Sequence, residues 1–410
     1  MPIASSPAPL DLSARILELD GLRGIAIGLV WIGHYFLLHG GTPPGTLAAY
    51  ALALFRLHWS GVDLFFVISG FLIGGILLDA RGSSNYFKVF YIRRFFRILP
   101  LYVLCLLATL LLFGLTHTGL GSRITWMWTW DKPLPWFSYP LFLQNFWMAV
   151  RSTPGVFPLS VTWSLAVEEQ FYLTLPLLVR FLNRKALLAV LFAGIFLAPV
   201  FRMSLYSAWP GHFLAWFMLT PCRADALLLG ALGAIAMRDA RCRSWLAARQ
   251  SLFNFVLLPV LLLGLAIFTL GRYDPFSFPM LSLGYSWIAV FYLAVLLYAL
   301  LWPSSWIASC LRWRWLRALG LIAYAAYLFH EFVLCLLQSV FWSWSRFPIA
   351  STASQWAVTF ASIAITLLLC HFSWVYFEKP LIRLGHRSSY AFRTAVPQSP
   401  PQPEPELVRP

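Results

Sequence analysis

The sequence predicts an all-α polytopic membrane bundle of about ten transmembrane helices, with both termini in the cytoplasm. Three observations carry this expectation. Hydrophobic residues make up 60% of the chain and charged residues 11%, where a soluble domain carries about 25% charged residues. The apolar residues gather in runs of about the 20 residues that cross a bilayer as a helix. Lys and Arg gather in alternate loops, as positive-inside topology requires. The net charge of +15 is thus a topology signal, and a nucleic-acid partner is excluded in favour of the lipid bilayer.

The runs fall at about 21–39, 60–79, 98–115, 160–182, 186–206, 213–237, 252–270, 284–302, 318–341 and 354–377. Residues 1–19 are Pro/Ser-rich and lack a basic n-region, so they read as a cytoplasmic segment before an uncleaved first helix. With that end inside, the inner loops carry clusters such as Arg93, Arg94 and Arg97, and Arg238, Arg241 and Arg243; the outer loops hold only scattered cations. The longest loop, about 116–159, lies outside. It holds five tryptophans, the enrichment of a membrane interface, with a sugar-stacking surface as the competing reading. Within it, 139–150 is too short to span and reads as an interfacial or re-entrant piece. Residues 20–387 form one membrane domain, and 388–410 read as a disordered Pro-rich cytoplasmic tail. The six cysteines form no CxxC pair, so neither a disulfide framework nor a metal site is expected.

Ionisable residues within a membrane helix are costly and mark function by default. The first run holds Arg23 and His34. Eleven residues at about 100° each return an α-helix to within roughly 20° of its starting face, about 16 Å further along. One face then carries Arg23 toward the cytoplasm and His34 toward the outside. The remaining intramembrane acids are Asp63, Glu168, Glu169, Asp225 and Glu331. Asp63 opens the second run near the outer end, and its expected partner is His34, which it would orient and charge. Gly70 and Gly74 read as a close helix crossing. Ser164 and Glu168, at i,i+4, share a helix face. Arg94 and Arg97, at i,i+3, face one way at the cytoplasmic side, where guanidinium forks match phosphate oxygens. A long donor with phosphates at one end and a reactive group at the other bridges these two levels, and a coenzyme A thioester has that shape.

These residues stand in motifs. The chain resembles the acyltransferase 3 family of bacterial integral-membrane O-acyltransferases over about residues 17–387. Arg23 and His34 look like its Arg-x10-His motif, and Asp63-Leu-Phe-Phe-Val-Ile-Ser-Gly-Phe-Leu-Ile73 like its second-helix signature. Arg94-Phe-Phe-Arg97 and Trp163-Ser-Leu-Ala-Val-Glu-Glu-Gln-Phe-Tyr172 match two further elements. Arg223-Ala-Asp225, Tyr327-Leu-Phe-His330 and Phe377-Glu-Lys-Pro380 fit later segments. Two departures are Ala323-Tyr-Ala for the commoner Ser-Tyr-Ser, and Glu331-Phe332 after His330 where a proline is frequent.

The resemblance implies transfer of an acyl group from cytoplasmic acyl-CoA, usually acetyl-CoA, with no metal. The acceptor is a hydroxyl of a cell-surface carbohydrate or glycosylated molecule, such as a polysaccharide or lipopolysaccharide. It places the protein in the bacterial inner membrane, in association with polysaccharide biosynthesis machinery. His34 becomes the general base, with Glu168 beside it in catalysis. Arg23, Arg94 and Arg97 hold CoA phosphates; Asp63, Ser164, Glu169, Arg223, Asp225 and His330 support the site or the acceptor. The alternative reading is a polytopic transporter or flippase for a glycan precursor, but no matched pair of inverted halves is visible in the sequence.

Overall fold

The computed structural model describes residues 15–37, 55–115, 134–341 and 353–392, and its regular structure there is entirely helical. The principal helices are α1 (Leu17–Trp31), α2 (Gly61–Ala80), α3 (Tyr86–Leu115), α4 (Gln144–Arg151), α5 (Trp163–Phe181), α6 (Arg184–Ala208) and α7 (Thr220–Arg238). They continue with α8 (Leu258–Leu270), α9 (Tyr285–Leu301), α10 (Arg314–Leu321), α11 (Ala323–Phe341), α12 (Ala353–Phe372) and α13 (Lys379–His386).

Among the described residues, eight helical segments are long and apolar enough to cross a membrane: His58–Ala80, Tyr86–Leu115, Arg184–Ala208, Phe213–Arg238, Gln250–Leu270, Met280–Leu301, Ala323–Phe341 and Ala353–His386. They answer to eight of the ten apolar runs. The other two, the first and the fourth, are helical as well, as α1 and α5. Each carries charge within the helix: Glu18, Asp20 and Arg23 in α1, and Glu168, Glu169 and Arg180 in α5. The helices that depart most from a plain apolar span are therefore the ones that bring polar groups into the bundle.

Three expectations are corrected. The third helix begins at Tyr86, three turns before the apolar run at 98, because the arginine-rich stretch is helical and packs against α13. The ninth run is broken at Ile322: α10 is a separate amphipathic helix lying on α1, and α11 alone forms the span. The start of the tail is docked. Asn85 Nδ2 donates to Ser389 O, the Ala391 amide donates back to Asn85 Oδ1, and Arg93 donates twice to Ser388 O, at 2.8–3.1 Å. Between α3 and α5, 144–151 forms the short helix α4 with Gln144 and Asn145 buried; Trp126, Trp128 and Trp130 lie outside the described residues.

The centre of the bundle is the crossing of α2 and α7. A Cβ on Gly70 would lie 1.9 Å from Leu227 O, and one on Gly230 would lie 2.2 Å from Val67 O. Only hydrogen fits between the two backbones, which is what small residues achieve at membrane helix crossings. Replacing Gly70 with leucine is therefore expected to lower the thermal unfolding midpoint in detergent, with a cost at or above the 1–3 kcal/mol typical of overpacking (about 1–3 kcal/mol). Gly114→Leu, where a Cβ meets nothing within 4 Å, is the control that should leave the midpoint in place.

Two buried ion pairs brace the same crossing. Arg223 of α7 reaches Asp63 of α2 at 2.7 Å. Arg202 of α6 reaches Asp225 at 2.9 Å, and also donates to Leu281 O, Cys222 O and Ser286 Oγ, so it ties α6, α7 and α9 together. The helix ends that the Lys/Arg distribution assigns to one side do meet at one end of the bundle. Arg81 donates to Leu182 O at 2.6 Å, Arg238 pairs with Asp79 at 2.5 Å, and Arg184 pairs with Asp239.

Candidate active site

The polar groups of α1, α5 and α11 form two clusters at different depths. The first is built on a change of helix type. After Trp31, α1 continues as a π-helical turn, Ile32–Leu37. Such turns recur at functional sites, and this one shifts the phase of the helix, so the one-face geometry of an unbroken α-helix holds only as far as Trp31. It carries His34 to α11, where Nε2 lies 2.9 Å from Glu331 Oε1. On the other side of the ring, Nδ1 lies 2.9 Å from Val30 O. A carbonyl oxygen only accepts, so Nδ1 bears a hydrogen, and the 2.9 Å contact on the other side places one proton between Nε2 and Glu331 Oε1. Glu331 is buried, whereas 22% of the His34 side chain is accessible. The second Glu331 oxygen accepts from Ser160 Oγ at 2.5 Å.

His330 backs this pair. Its ring centroid is 4.9 Å from that of His34. Its Nδ1 faces Tyr327 O at 2.8 Å and Ala326 O at 3.1 Å, so Nε2 presents a lone pair. That atom is buried with no hydrogen-bond partner among the described residues. Tyr35 fixes the seam by bonding Thr366 Oγ1 at 3.0 Å and His330 O at 3.4 Å. Ser164 Oγ lies 2.6 Å from Tyr327 OH, which donates to Val161 O.

The second cluster gathers the arginines, and α3 supplies two of them, Arg94 and Arg97. Arg23 is a third exposed and pairs with Asp20 at 3.7 Å; it stands within electrostatic range of Arg94 and Arg97. Arg97 reaches Glu378 at 3.7 Å and lies over the Tyr324 ring. Arg94 Nε and Glu169 Oε1 are buried without hydrogen-bond partners among the described residues. Glu168 accepts from Tyr172 OH at 3.2 Å, and Tyr172 OH also meets Ser69 Oγ.

Several sequence expectations are met and others are not. Arg23, Arg94 and Arg97 do come together, and His34 and His330 share one cluster. Asp63 is not the partner of His34: it is committed to Arg223, and Glu331 takes the place expected for it. Ser164 and Glu168 part company, the former joining Tyr327 beside the histidines and the latter joining Tyr172 near the arginines. Asp225 is bound up with Arg202 and Ser286, away from both clusters. Glu331 was visible as an intramembrane acid in the ninth run. Ser160, Tyr172, Arg202 and Tyr327 have partners that only the packing of separate helices reveals.

The profile of a family described as an acyltransferase domain matches residues 16–374. The putative peptidoglycan O-acetyltransferase YrhL of Bacillus subtilis is 30% identical over 347 residues, covering 80% of this chain and 51% of the relative. The peptidoglycan O-acetyltransferase OatA of Listeria monocytogenes is 26% identical over 371 residues, covering 83% and 55%. A putative O-acetyltransferase of Staphylococcus aureus is 26% identical over 402 residues, covering 91% and 59%. The chain thus spans about half the length of the curated relatives it matches. No solved structure matches it. With the motif residues spread over helices that pack into one bundle and the profile running through nearly the whole membrane domain, the chain belongs to the acyltransferase 3 family.

Proposed function

We propose that this protein is an inner-membrane O-acetyltransferase that moves an acetyl group from cytoplasmic acetyl-CoA to a hydroxyl of a cell-wall glycan. The observation that carries the reading is the imidazole–carboxylate pair of His34 and Glu331, held at one level of a bundle whose arginines collect at another. The relatives' names support acetyl transfer rather than transport, and point to peptidoglycan rather than lipopolysaccharide as the acceptor class.

In the reactive state the acceptor hydroxyl enters between His34 Nε2 and Glu331, and the neutral Nε2 takes its proton as its oxygen attacks the thioester carbonyl. The Nδ1–H bond to Val30 O fixes the tautomer, and Glu331 stabilises the imidazolium that forms. The same Nε2 proton then goes to the departing CoA thiolate, which leaves an O-acetyl ester, a free thiol and the original base. Arg94 Nε is a buried donor with an open valence, and with Arg23 and Arg97 it fits the phosphates of the donor. Ser164 and Tyr327 lie between the two clusters as hydroxyls to orient the acceptor.

The test is acetyl transfer by the purified protein in proteoliposomes, supplied with acetyl-CoA on one side and solubilised glycan on the other, read by mass spectrometry of the glycan. Acetyl-CoA-dependent gain of an acetyl mass supports the reading. Movement of glycan without acetylation sinks it. Replacing Arg94 and Arg97 together with lysine is expected to raise the KM for acetyl-CoA by about tenfold or more with a smaller change in kcat, since lysine keeps charge but loses the fork. An unchanged KM would remove them from the donor site.

A further inference from the structure

We propose that His34, His330 and Glu331 form a binding site for one divalent transition-metal ion of the Zn²⁺ class. Nothing in the linear sequence has metal-ligand spacing; the site exists only because the π-helical end of α1 lies against α11. One ring nitrogen of His34, one of His330 and a Glu331 oxygen all lie within 4.8 Å of one another. Ligand atoms around a tetrahedral zinc, at bonds of about 2.0–2.1 Å, are about 3.3 Å apart. The His34–Glu331 pair is already closer than that, at 2.9 Å, and small side-chain rotations bring the third ligand in.

Each ligand is also held from behind in the manner of a metal site. Metal-bound imidazoles almost always donate their other N–H to a carbonyl or carboxylate, which fixes the tautomer and the ring. Here both do so: His34 Nδ1 to Val30 O, and His330 Nδ1 to Tyr327 O and Ala326 O. Glu331 is held by Ser160 Oγ. The independent sign of a missing ligand is His330 Nε2. Its side chain is fully buried, its lone pair meets no donor among the described residues, and its ring stands 4.9 Å from that of His34. Two imidazoles and one carboxylate suit zinc and its neighbours rather than Mg²⁺, which prefers oxygen ligands and keeps its waters. On the reading of His34 as base, a bound ion occupies its lone pair and halts acetyl transfer.

The experiment uses the full chain in detergent, stripped with a chelator, then given a limiting amount of ZnCl₂ and desalted. The expected result is one zinc per chain by elemental analysis, with an X-ray absorption edge showing scattering from two imidazoles. Affinity should fall at least tenfold in His330→Ala and in Glu331→Gln, and a large excess of MgCl₂ should not displace the ion. Substoichiometric zinc, or zinc bound by sulfur or by oxygen alone, would overturn the proposal. The absorption measurement needs no substitution, so a variant that fails to fold does not obscure the answer. Acetyl transfer measured in parallel keeps the two readings apart: zinc bound by two imidazoles without loss of transfer leaves the site standing and removes His34 from the base role.

Discussion

His34→Ala is expected to lower acetyl transfer by about 10²–10⁴-fold, the contribution of a positioned general base. The His34 ring lies just beyond α1, and its loss leaves buried Glu331 without its partner, so the unfolding midpoint should fall while the helix stays in place. The covered residues of that helix, Leu19, Leu22, Ala26, Ile27 and Val30, hold it in the bundle. The loss should appear in kcat, with the KM for acetyl-CoA little changed, since the arginines belong to the other cluster. The check is steady-state kinetics with each rate taken per folded molecule, the folded fraction being measured on the same sample. A His34→Ala protein that folds and retains most of its kcat would end the assignment of the base to this residue. His34→Gln separates proton transfer from packing, because it keeps a polar group near Glu331 but cannot take a proton at the operating pH.

The second large effect belongs to Glu331, and it decides between two carboxylates. Glu331→Gln leaves the imidazolium formed during reaction without its buried counter-charge. Removing one partner of a buried ion pair costs about 3–5 kcal/mol, and about 1.36 kcal/mol is tenfold in rate. A fall in kcat of at least about 100-fold is therefore expected if the pair is completed only as the proton moves. Asp63→Asn should behave differently. It leaves Arg223 without the 2.7 Å partner that spans α2 and α7, so it should lower the unfolding midpoint. The kcat of the protein that remains folded should change far less than in Glu331→Gln. Equal losses of kcat in the two variants, at matched folded fraction, would show that the carboxylate on α11 has no special relation to His34.

These variants probe what the sequence leaves open. The charge on Glu331 was legible as an expensive intramembrane acid, and so was the charge on Asp63. Both stand near a membrane level compatible with His34, and spacing along the chain does not rank them. The choice follows from two packing facts. The α2–α7 crossing at Gly70 and Gly230 brings Asp63 onto Arg223, which consumes it. The π-helical turn then re-aims His34 toward α11, where Glu331 is available. The same reason explains why Ser164 and Glu168, correctly placed on one face of α5, meet different neighbours. One helix turn separates them, and that is enough to put one beside Tyr327 and the other beside Tyr172.

Boundaries show the same division. The early start of α3 was hidden because an apolar run ends at the first cluster of arginines, whereas a helix continues wherever its backbone bonds are met and its charges find partners. Glu378, Tyr324 and the docked residues 388–392 supply those partners.

By itself the sequence determined the all-helical membrane architecture, the grouping of arginines and histidine at opposite levels, and the family. Those properties depend on composition and on the fixed period and rise of a helix, which act locally. The tertiary structure alone decided which carboxylate serves His34, that His330 lends a free nitrogen to the same cluster, and that Arg202 belongs to a structural brace. Such pairings are set by the rotation and depth of one helix against another. Those are fixed by close backbone approach at a few glycines and by buried charges that must each find an opposite, and no period along a single helix encodes them.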